Sequence, residues 1–582
     1  MTKSEKAIRV TEGFKKKLNR QAILSFGTCV HCGMCNDSCH YYLATNDPKM
    51  TPTYKADQVR KLFKYHVDWT GRVFPQWVGG KDLETDEDLE KLKDVVFGSC
   101  TMCRRCTMNC PFGIDKALIM RTARGLLTLE NIGPKEFFTV IKDQWELGNQ
   151  MGVTPDDYIE TLEWIEEELQ DLVEDPKAKI PIDKKGANIM YVVNPREIKY
   201  DPRPLLAAAK IFYAAKEDWT MPSVGWDNTN FGMFSGLDDL GGHVGKLAYD
   251  QARKLKAKKV VISECGHGYR GTRWEAPNWS KSNPLPFLME SFLQTQVDYV
   301  NSGRIILDPT MNPDPVTYHD PCNLARSGGI TEEPRFLLKR ACMDFREMTP
   351  NRQDNFCCTG GGGAMSMSEY AKRRIEVAKI KANQIKSTGA KFVATPCHNC
   401  LDGLADVSKA YKLNTPIRNV CEFVADAIVL KRPEKFSINL KDTIKSKKIL
   451  VIDDEEDAVK YLTIFLEDHG FKVISASDGN DGIKKAKVSR PDLITLDVTM
   501  PGKSGVEVFT KLRSDPTLSN IPIVIITGKV DFRELIYNRE MSPPEGFMSK
   551  PIDQDILLLT IKKILEKSEN TKKKVKETVK SK

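Results

Sequence analysis

Sixteen cysteines dominate the chemistry that this 582-residue sequence can support. Eight of them form two short runs, each with the spacing C-x2-C-x2-C-x3-C. The runs are Cys29, Cys32, Cys35 and Cys39, and then Cys100, Cys103, Cys106 and Cys110. A zinc site usually draws its cysteines from separate CxxC pairs, whereas four cysteines in one run can surround a larger inorganic group. The spacing therefore indicates iron–sulfur chemistry in a reducing compartment.

Both runs have the spacing of bacterial ferredoxins with two [4Fe–4S] clusters, in which the fourth cysteine of a run binds the other cluster. A short loop can place three thiolates around one cluster before a helix carries the fourth away. We therefore predict crossed ligation, in which the last cysteines of the two runs are exchanged. Cluster one would be bound by Cys29, Cys32, Cys35 and Cys110, and cluster two by Cys100, Cys103, Cys106 and Cys39. Pro111 follows the second run but His40 follows the first, so the turn after Cys39 is expected to differ.

A further set of five cysteines lies at Cys322, Cys357, Cys358, Cys397 and Cys400. Its adjacent pair does not suit one iron of an ordinary cube, and it suggests an unusual cluster or a redox-active dithiol. The glycines from Gly360 to Gly363 would let the backbone pass close to a large inorganic group. A phosphate-binding loop is the competing interpretation of these glycines, but no GxxxxGK or GxGxxG pattern follows a strand there. A zinc site or buried free thiols is the alternative interpretation of the five cysteines.

Residues 186–435, which contain this set, alternate strand patterns with helical stretches, as is typical of an α/β fold. The region also repeats itself. The segment from Asn230 resembles the segment from Asn355, and the strand that ends at Cys265 corresponds to the strand that ends at Cys397. The second copy keeps all five cysteines, whereas the first keeps only Cys265. We therefore expect a duplicated fold that gathers its thiolates at the strand ends of the second copy.

Cys265 and His267 occupy the corresponding strand end in the first copy. By the pseudo-symmetry of the repeat, they would face the five-cysteine set and act on substrate thiols as nucleophile or proton donor. A single cysteine after a strand is more often a small buried apolar residue, so this alternative stays open.

The sequence changes character after residue 446, where five apolar strand patterns alternate with helices in the rhythm of a doubly wound, flavodoxin-like sheet. The segments KKILVIDDEEDA, PDLITLDVTMPGKSG, IPIVIITG and GFMSKPI resemble the receiver domains of response regulators. The resemblance implies that Asp453 and Asp454 hold Mg²⁺ and that Asp497 accepts a phosphoryl group. It also implies a switch hydroxyl at Thr527, an aromatic switch at Phe547 and a phosphate-pairing lysine at Lys550. A carboxylate nucleophile needs such a cation and lysine to offset the phosphoryl charge.

The series YHDPCNLARSGG, NFCCTGGGGAM and TPCHNC, with SECGHGYRG and the two N-terminal runs, resembles heterodisulfide-reductase-type CCG proteins over about residues 20 to 430. The D subunit of heterodisulfide reductase and the DsrK-type catalytic subunits of sulfur-metabolising microbes are similar. The resemblance implies that the five cysteines bind a noncubane [4Fe–4S] cluster, which cleaves or forms disulfides in two one-electron steps. Because the first copy lacks the ligands, we expect one such cluster.

These features favour an oxidoreductase subunit of anaerobic sulfur metabolism, cytoplasmic and peripheral at the inner face of the membrane. Electrons would pass between a quinone-linked cytochrome b partner and a disulfide-bearing substrate, for example a small sulfur-carrier protein. A histidine kinase would phosphorylate the receiver and so regulate the enzyme. One alternative is an iron–sulfur subunit of a flavin dehydrogenase, of the glycolate oxidase or anaerobic glycerol-3-phosphate dehydrogenase type. Another is a redox-sensing two-component signalling protein.

Composition narrows the classes of protein further. Hydrophobic residues make up 41% and charged residues 29%, as in ordinary globular proteins. No apolar run approaches the ~20 residues that span a bilayer, and the N-terminus lacks a signal-peptide pattern. The formal net charge is +8, but residues 571–582 alone carry six Lys and one Glu, so the charge does not indicate a nucleic-acid partner.

We divide the chain into five parts. An α-helical, two-cluster ferredoxin-like domain (1–130) is followed by a helical connector (131–185) with an acidic amphipathic helix over Asp156–Asp175. The duplicated α/β CCG domain (186–435) comes next. A doubly wound receiver (446–567) and a basic tail (568–582) complete the chain.

Overall fold

The computed structural model describes residues 3–430, 446–500, 504–527, 542, 544–550, 552, 554, 557–558 and 560–568. The linker 431–445 and residues 569–582 of the predicted basic tail lie outside the described residues. The chain forms two compact units. One comprises Met1–Gly152, Pro181–Pro195 and Ile211–Val429, and the other comprises Val153–Ile180, Arg196–Lys210 and Leu430–Lys582. Among the described residues, no helix combines the length and the apolarity needed to cross a membrane.

The described residues before the first strand are mainly helical, apart from the two cysteine loops. Helix starts follow from the sequence: Thr51 and Asp115 accept hydrogen bonds from the backbone amides of Tyr54 and Leu118, and Pro52 occupies a first helical turn. The helices are α1 (Glu5–Lys17), α2 (Arg20–Thr28), α3 (His40–Thr45), α4 (Pro52–His66), α5 (Trp69–Val73), α6 (Asp86–Lys93), α7 (Arg105–Met108), α8 (Lys116–Leu129), α9 (Lys135–Leu147) and α10 (Pro155–Val173). Helix α10 matches the acidic helix predicted over Asp156–Asp175.

A four-stranded parallel sheet with the order β2-β1-β3-β4 comes next, and we call it and the helices that follow β2 the first lobe. Strand β1 is buried along its whole length, as expected of a parallel sheet covered on both faces. The elements in chain order are β1 (Ile189–Val192), α11 (Pro195–Lys199), α12 (Arg203–Ala214), β2 (Trp219–Thr220), α13 (Gly232–Ser235), α14 (Asp238–Leu255), β3 (Lys259–Ile262), α15 (Gly266–Gly268), α16 (Ala276–Trp279), β4 (Leu288–Ser291) and α17 (Phe292–Asn301).

The second lobe has the same architecture, because its parallel sheet has the order β6-β5-β7-β8. In each lobe the first strand in sequence lies second in the sheet, next to the third. The elements are β5 (Val316–Tyr318), α18 (Cys322–Ala325), α19 (Glu333–Ala341), β6 (Phe345–Glu347), α20 (Ala371–Glu376), α21 (Lys379–Thr388), β7 (Phe392–Ala394), α22 (His398–Ala410), β8 (Ile417–Arg418) and α23 (Val420–Ala427). The identical strand order agrees with the duplication expected from the sequence.

The C-terminal region is a five-stranded parallel sheet with the order β10-β9-β11-β12-β13. This is the doubly wound arrangement predicted from the strand rhythm, with its core on both faces of the sheet. The elements are β9 (Lys448–Ile452), α24 (Glu456–Asp468), β10 (Lys472–Ala476), α25 (Gly479–Ser489), β11 (Leu493–Leu496), α26 (Gly505–Ser514), β12 (Ile523–Thr527) and β13 (Gly546–Ser549), followed by helical residues 560–568.

Candidate functional site

A cavity lies inside the first cysteine loop. The cysteines that line it are Cys29, Cys32, Cys35 and Cys110. His31 and Gly33 adopt left-handed backbone conformations, with φ of 57° and 78°, and so fold the loop around the cavity. The Nε2 atom of His31 lies 2.8 Å from Asp57, which ties the loop to α4. A donor set of four thiols at this spacing fits a [4Fe–4S] cluster.

A second cavity lies inside the other cysteine loop. The cysteines that line it are Cys39, Cys100, Cys103 and Cys106. Each cavity therefore receives three thiols from one run and one from the other. The chain enters α3 at His40 directly after Cys39, whereas Pro111 and four further residues separate Cys110 from α8. The turns after the two runs thus differ, as the presence of His40 led us to expect.

Two buried lysines lie among these thiols. Lys55 Nζ is 3.5 Å from Cys39 Sγ, and Lys116 lines both cavities. Burial lowers the pKa of Lys116, but the negative charge of nearby thiolates, Cys35 and Cys106 first among them, raises it by more. The pKa of Lys116 therefore lies above its usual value. Lys116 can therefore remain cationic and offset the negative charge of thiolate-bound clusters.

The loop of the second run also contacts the five-cysteine region. Thr101 Oγ1 lies 3.4 Å from Cys357 Sγ, and the guanidinium of Arg326 donates a 3.0 Å hydrogen bond to the Cys103 carbonyl. Hydrogen bonds involving Cys357 and His40 lower the pKa of the Cys103 thiol. Because Thr101 and Cys357 are both buried, bulk water does not separate the two sites at this contact.

Arg124 of α8 holds this junction together. It is fully buried and donates to the backbone carbonyls of Cys100 (2.6 Å), Phe234 (3.3 Å) and Gly362 (2.6 Å), and also of Val96 (2.7 Å). Burial lowers its pKa to about 10, so that it remains charged at neutral pH. One guanidinium therefore joins the second cysteine loop, the first lobe and the glycine-rich segment of the second lobe.

The five cysteines of the second lobe are all buried and adjoin one another. The Sγ atoms of Cys358 and Cys400 lie 3.2 Å apart. The neighbouring thiols of Cys103, Cys322 and Cys358 raise the pKa of Cys357. The backbone amide of Cys400 donates a 2.8 Å hydrogen bond to the Cys397 carbonyl, and the Cys400 thiol lowers the pKa of Cys397. The structure therefore brings all five predicted residues into one continuous group of sulfur donors, which fits an iron–sulfur group held by thiolates.

The glycine-rich segment packs more closely against backbone than the sequence led us to expect. A Cβ atom on Gly360 would lie 2.3 Å from the Asn399 carbonyl oxygen, and one on Gly362 would lie 2.7 Å from that of Thr101. Gly362 also has a φ of 67°, where glycine is favoured. Only Gly361 faces the sulfurs, since its Cβ would lie 3.8 Å from Cys322 Sγ and 3.9 Å from Cys357 Sγ. The glycines therefore serve mainly the packing of α22 and of the second cysteine loop.

A histidine adjoins the five thiols. Donor atoms of His319, Cys358 and Cys400 all lie within 4.8 Å of one another. Asn355 Nδ2 is 3.2 Å from His319 Nδ1, and Lys381 donates a 2.6 Å hydrogen bond to Asn355 Oδ1. Burial lowers the pKa of both His319 and Lys381, the latter to about 7. The polar side chains thus form a buried chain from Lys381 to Cys358.

Cys265 and His267 of the first lobe lie next to the five-cysteine group of the second lobe. Their Sγ and Nδ1 atoms lie 3.5 Å apart, and Asn399 of α22 lies 3.4 Å from the same Nδ1. A Cβ on Gly266 would lie 3.5 Å from Cys397 Sγ. Burial lowers the pKa of His267 to about 3, so that its imidazole is neutral at physiological pH. The two aligned strand ends of the repeat therefore meet at the five-cysteine group.

The receiver residues also converge. Carboxylate oxygens of Asp453, Asp454 and Asp497 lie within 4.8 Å of one another, which is an oxygen donor set suited to Mg²⁺. Lys550 Nζ lies 2.7 Å from both Asp453 and Asp497; although burial opposes it, these carboxylates raise the pKa of the lysine. Thr527 Oγ1 lies 3.0 Å from the Thr499 hydroxyl. Phe547 lies in β13, but its side chain is outside the described part of the structure.

Three family models match this chain. The "4Fe-4S dicluster domain" matches residues 25–114, the "Cysteine-rich domain" called CCG matches 316–404, and the "Response regulator receiver domain" matches 449–562. Protein PilH of Pseudomonas aeruginosa is 33% identical over 118 residues, covering 20% of this chain and 97% of PilH. The C-terminal domain belongs to the response-regulator family.

The remainder of the chain is similar to two further relatives. The "Hdr-like menaquinol oxidoreductase iron-sulfur subunit" of Archaeoglobus profundus is 27% identical over 483 residues, covering 75% of this chain and 86% of that protein. The D subunit of the dihydromethanophenazine:CoB–CoM heterodisulfide reductase of Methanosarcina barkeri is 26% identical over 423 residues, covering 71% of this chain and 97% of the relative. The predicted heterodisulfide-reductase-type resemblance, the multidomain fold and the iron–sulfur cofactors are confirmed.

Four residues that contact the cysteine sites of this chain were not predicted from its sequence. His319 lies three positions before Cys322 and could have been noticed in the YHDPC segment. Thr101, Arg124 and Lys381 carry no comparable signal. Their roles depend on contacts between residues more than two hundred positions apart in the first two cases, and on burial in the third.

Proposed function

We propose that this chain is the disulfide-reacting subunit of a membrane-associated oxidoreductase. It exchanges electrons between a quinone-linked cytochrome b partner and a disulfide or thiol substrate. The observation that carries the proposal is the buried contact between Thr101, in the second cysteine loop, and Cys357 of the five-cysteine group. This contact supports a one-electron site beside a site with an adjacent cysteine pair, as a stepwise two-electron reaction requires.

The cysteines divide into three ligand sets in this proposal. The crossed sets are Cys29, Cys32, Cys35 and Cys110 for cluster one, and Cys39, Cys100, Cys103 and Cys106 for cluster two. The noncubane set is Cys322, Cys357, Cys358, Cys397 and Cys400. When bound, these groups would supply one-electron redox chemistry and let disulfide cleavage proceed in two steps. Reducing the disulfide breaks one S–S bond, consumes two electrons and two protons, and yields two thiols.

The side chains of the first lobe would orient the substrate. Cys265 and neutral His267 lie beside Cys397, and Asn399 fixes the imidazole through Nδ1. His267 Nε2 is buried and has no hydrogen-bond partner among the described residues, so it is available to a bound thiol. Because the imidazole is neutral, it would position the substrate sulfur or hold its proton without adding charge.

The redox partner would dock on the first cysteine loop. Cys32 is exposed there, and Val30, Met34 and Phe112 around it are each more than half exposed. Methionine and aromatic side chains are enriched at the cores of protein interfaces. The names of two relatives, which contain menaquinol oxidoreductase and heterodisulfide reductase, support a quinone-linked partner and a disulfide substrate.

The receiver would regulate this electron exchange through the connector helix α10. Lys562, in helical residues 560–568, lies 2.5 Å from Glu168 of α10, and both side chains are buried. Lys567 of the same helical segment pairs with Asp157 at the start of α10. Phosphorylation of Asp497 by a histidine kinase would add roughly 1.5 to 2 negative charges and would draw Thr527 toward the phosphoryl group. Such coupling is worth about 1–3 kcal/mol, so a changed rate or partner affinity is expected and not an all-or-none gate.

The experiment uses anaerobically prepared holoprotein, reduced with dithionite and mixed with cystamine as a small disulfide. Wild type should release thiols, whereas Cys358→Ser should not, even though its remaining clusters are still reduced by dithionite. Cys342→Ser is the matched control, since Cys342 is a buried thiol of the same lobe whose pKa is raised to about 12 by burial. Equal thiol release by wild type and Cys358→Ser would refute the proposed function.

A further inference from the structure

Residues 69–77, between the two cysteine runs, expose an unusual amount of apolar surface. We call this segment the aromatic loop. The exposed fractions are 77% for Trp69, 60% for Val73, 60% for Phe74 and 93% for Trp77. Apolar side chains scattered singly over a surface need no explanation, but a contiguous group marks a site of protein or membrane interaction.

The aromatic loop is held in place by its own hydrogen bonds. The Asp68 carboxylate accepts from the backbone amides of Thr70 (2.9 Å) and Gly71 (3.4 Å), and so begins helix α5. The turn after α5 is closed by a 2.7 Å bond from the Gly80 amide to the Pro75 carbonyl. A Cβ on Gly71 would lie 1.8 Å from the Lys64 carbonyl oxygen, so that α5 packs directly on the end of α4. These contacts therefore hold the backbone of the loop in a conformation that exposes the aromatic side chains to solvent.

Within the aromatic loop itself, the one charged side chain is basic. Residues 69–77 contain Arg72 and no acidic residue. Asp68, directly before the loop, pairs with Lys64, and Lys81 after the loop pairs with Asp88. Arg72 is exposed between Trp69 and Phe74. Tryptophan and phenylalanine next to basic side chains are the pattern by which peripheral segments lie in the headgroup region of anionic bilayers. Arginine beside them would pair with lipid phosphate.

The aromatic loop and the first cysteine loop lie at opposite ends of α4. Thr53 Oγ1, at the start of the helix, is 3.5 Å from Cys35 Sγ, whereas the aromatic loop comes after its last residue, His66. A helix of 15 residues is about 22 Å long. A membrane contact at one end would therefore leave the first cysteine loop open to a redox partner.

We propose that the aromatic loop inserts into the headgroup region of an anionic lipid bilayer and anchors the protein peripherally. The inference deepens the proposed function, on which its biological setting rests, by naming the surface that meets the membrane. Lipid is favoured over a protein occupant because exposed Arg72 lies among the aromatic side chains and Trp77 is almost wholly exposed.

The test is flotation of the anaerobic holoprotein with protein-free vesicles. One set contains phosphatidylcholine and phosphatidylglycerol, and the other contains phosphatidylcholine alone. Wild type should float with the anionic vesicles. The double variant Trp69→Ala/Trp77→Ala should lower the partition coefficient about tenfold or more, because two interfacial aromatic anchors are lost. Arg72→Gln should weaken binding a few-fold on anionic vesicles only.

Trp274→Ala is the control, because Trp274 is 48% exposed at a different position. It should bind vesicles like wild type. The inference would be overturned if wild type floated with neither set of vesicles, or if the double variant floated with the anionic vesicles as well as wild type does. If the double variant kept vesicle binding but lost binding to a purified membrane subunit, the inference would likewise be overturned, and the loop would be assigned to a protein contact. Cystamine reduction is measured on the same preparations: full turnover without flotation would overturn only the anchor, and flotation without turnover only the proposed function.

Discussion

The two lobes of the α/β region have the same strand order but differ in the residues that come after their strands. In the second lobe, β5 leads to Cys322 and β7 leads to Cys397 and Cys400. In the first lobe, β1 leads to Asn194 and β3 leads to Cys265. Asn194 Nδ2 lies 3.4 Å from Cys265 Sγ. At the strand ends of the first lobe, hydrogen-bonded side chains therefore occupy the positions that carry the thiol set in the second lobe.

The difference shows that the sheet and the sulfur chemistry are separable. The parallel sheets are stabilised by buried apolar strands, which both lobes have, whereas the chemistry depends on a few residues after those strands. Aligned positions have moreover taken complementary roles: His267 and Asn399 correspond in the repeat, and their side chains lie 3.4 Å apart. The lobe without the thiol set therefore contributes a wall to the site of the other.

The largest expected effect comes from exchanging the aligned cysteines for serine. Cys397→Ser should remove disulfide turnover almost entirely, by about a thousandfold or more, because a thiolate ligand is lost. Cys265→Ser should retain activity within about tenfold, because Cys265 only adjoins the site. Initial rates of cystamine reduction measure both. Comparable losses in the two variants would mean that the lobes are not divided as we describe.

A smaller effect is expected from removing the arginine that joins the lobes. Arg124→Met should lower the free energy of unfolding by about 3–5 kcal/mol, because four buried carbonyl acceptors lose a charged donor. Arg121→Met is the comparison, since among the described residues the Arg121 side chain donates hydrogen bonds only to Gly232, Met233 and Asp238 of the first lobe. Denaturant unfolding, followed by cluster absorption, gives both values. A loss for Arg121→Met equal to that for Arg124→Met would argue against a junction held by Arg124.

The smallest effect should come from the wall of the site. His267→Gln is expected to lower kcat/KM for cystamine about three- to tenfold while iron content stays unchanged. Because burial lowers the pKa of His267 to about 3, the imidazole stays neutral from pH 5 to 8 and its removal should not alter the pH profile there. A profile that changes within this range would show that His267 titrates during turnover.

The sequence was sufficient for the parts of the molecule that depend on local pattern. The cysteine spacings predicted two loops, the repeat predicted two lobes, and the acidic positions predicted the group formed by Asp453, Asp454 and Asp497. The features that could not be predicted depend on distant packing. The bond from Arg124 to Gly362 joins residues 238 positions apart. Likewise, the glycine-rich segment was expected to pass close to an inorganic group, whereas Gly360 and Gly362 pack against backbone.

The central claim is that the second lobe alone holds a third iron–sulfur group. Iron and acid-labile sulfide per chain, measured on anaerobically purified protein, test it most directly. We predict about twelve irons in wild type and in Cys265→Ser, and about eight in Cys322→Ser, from two four-iron clusters plus one. A stable, fully active wild type with about eight irons, or an equal loss of iron in Cys265→Ser and Cys322→Ser, would contradict the account.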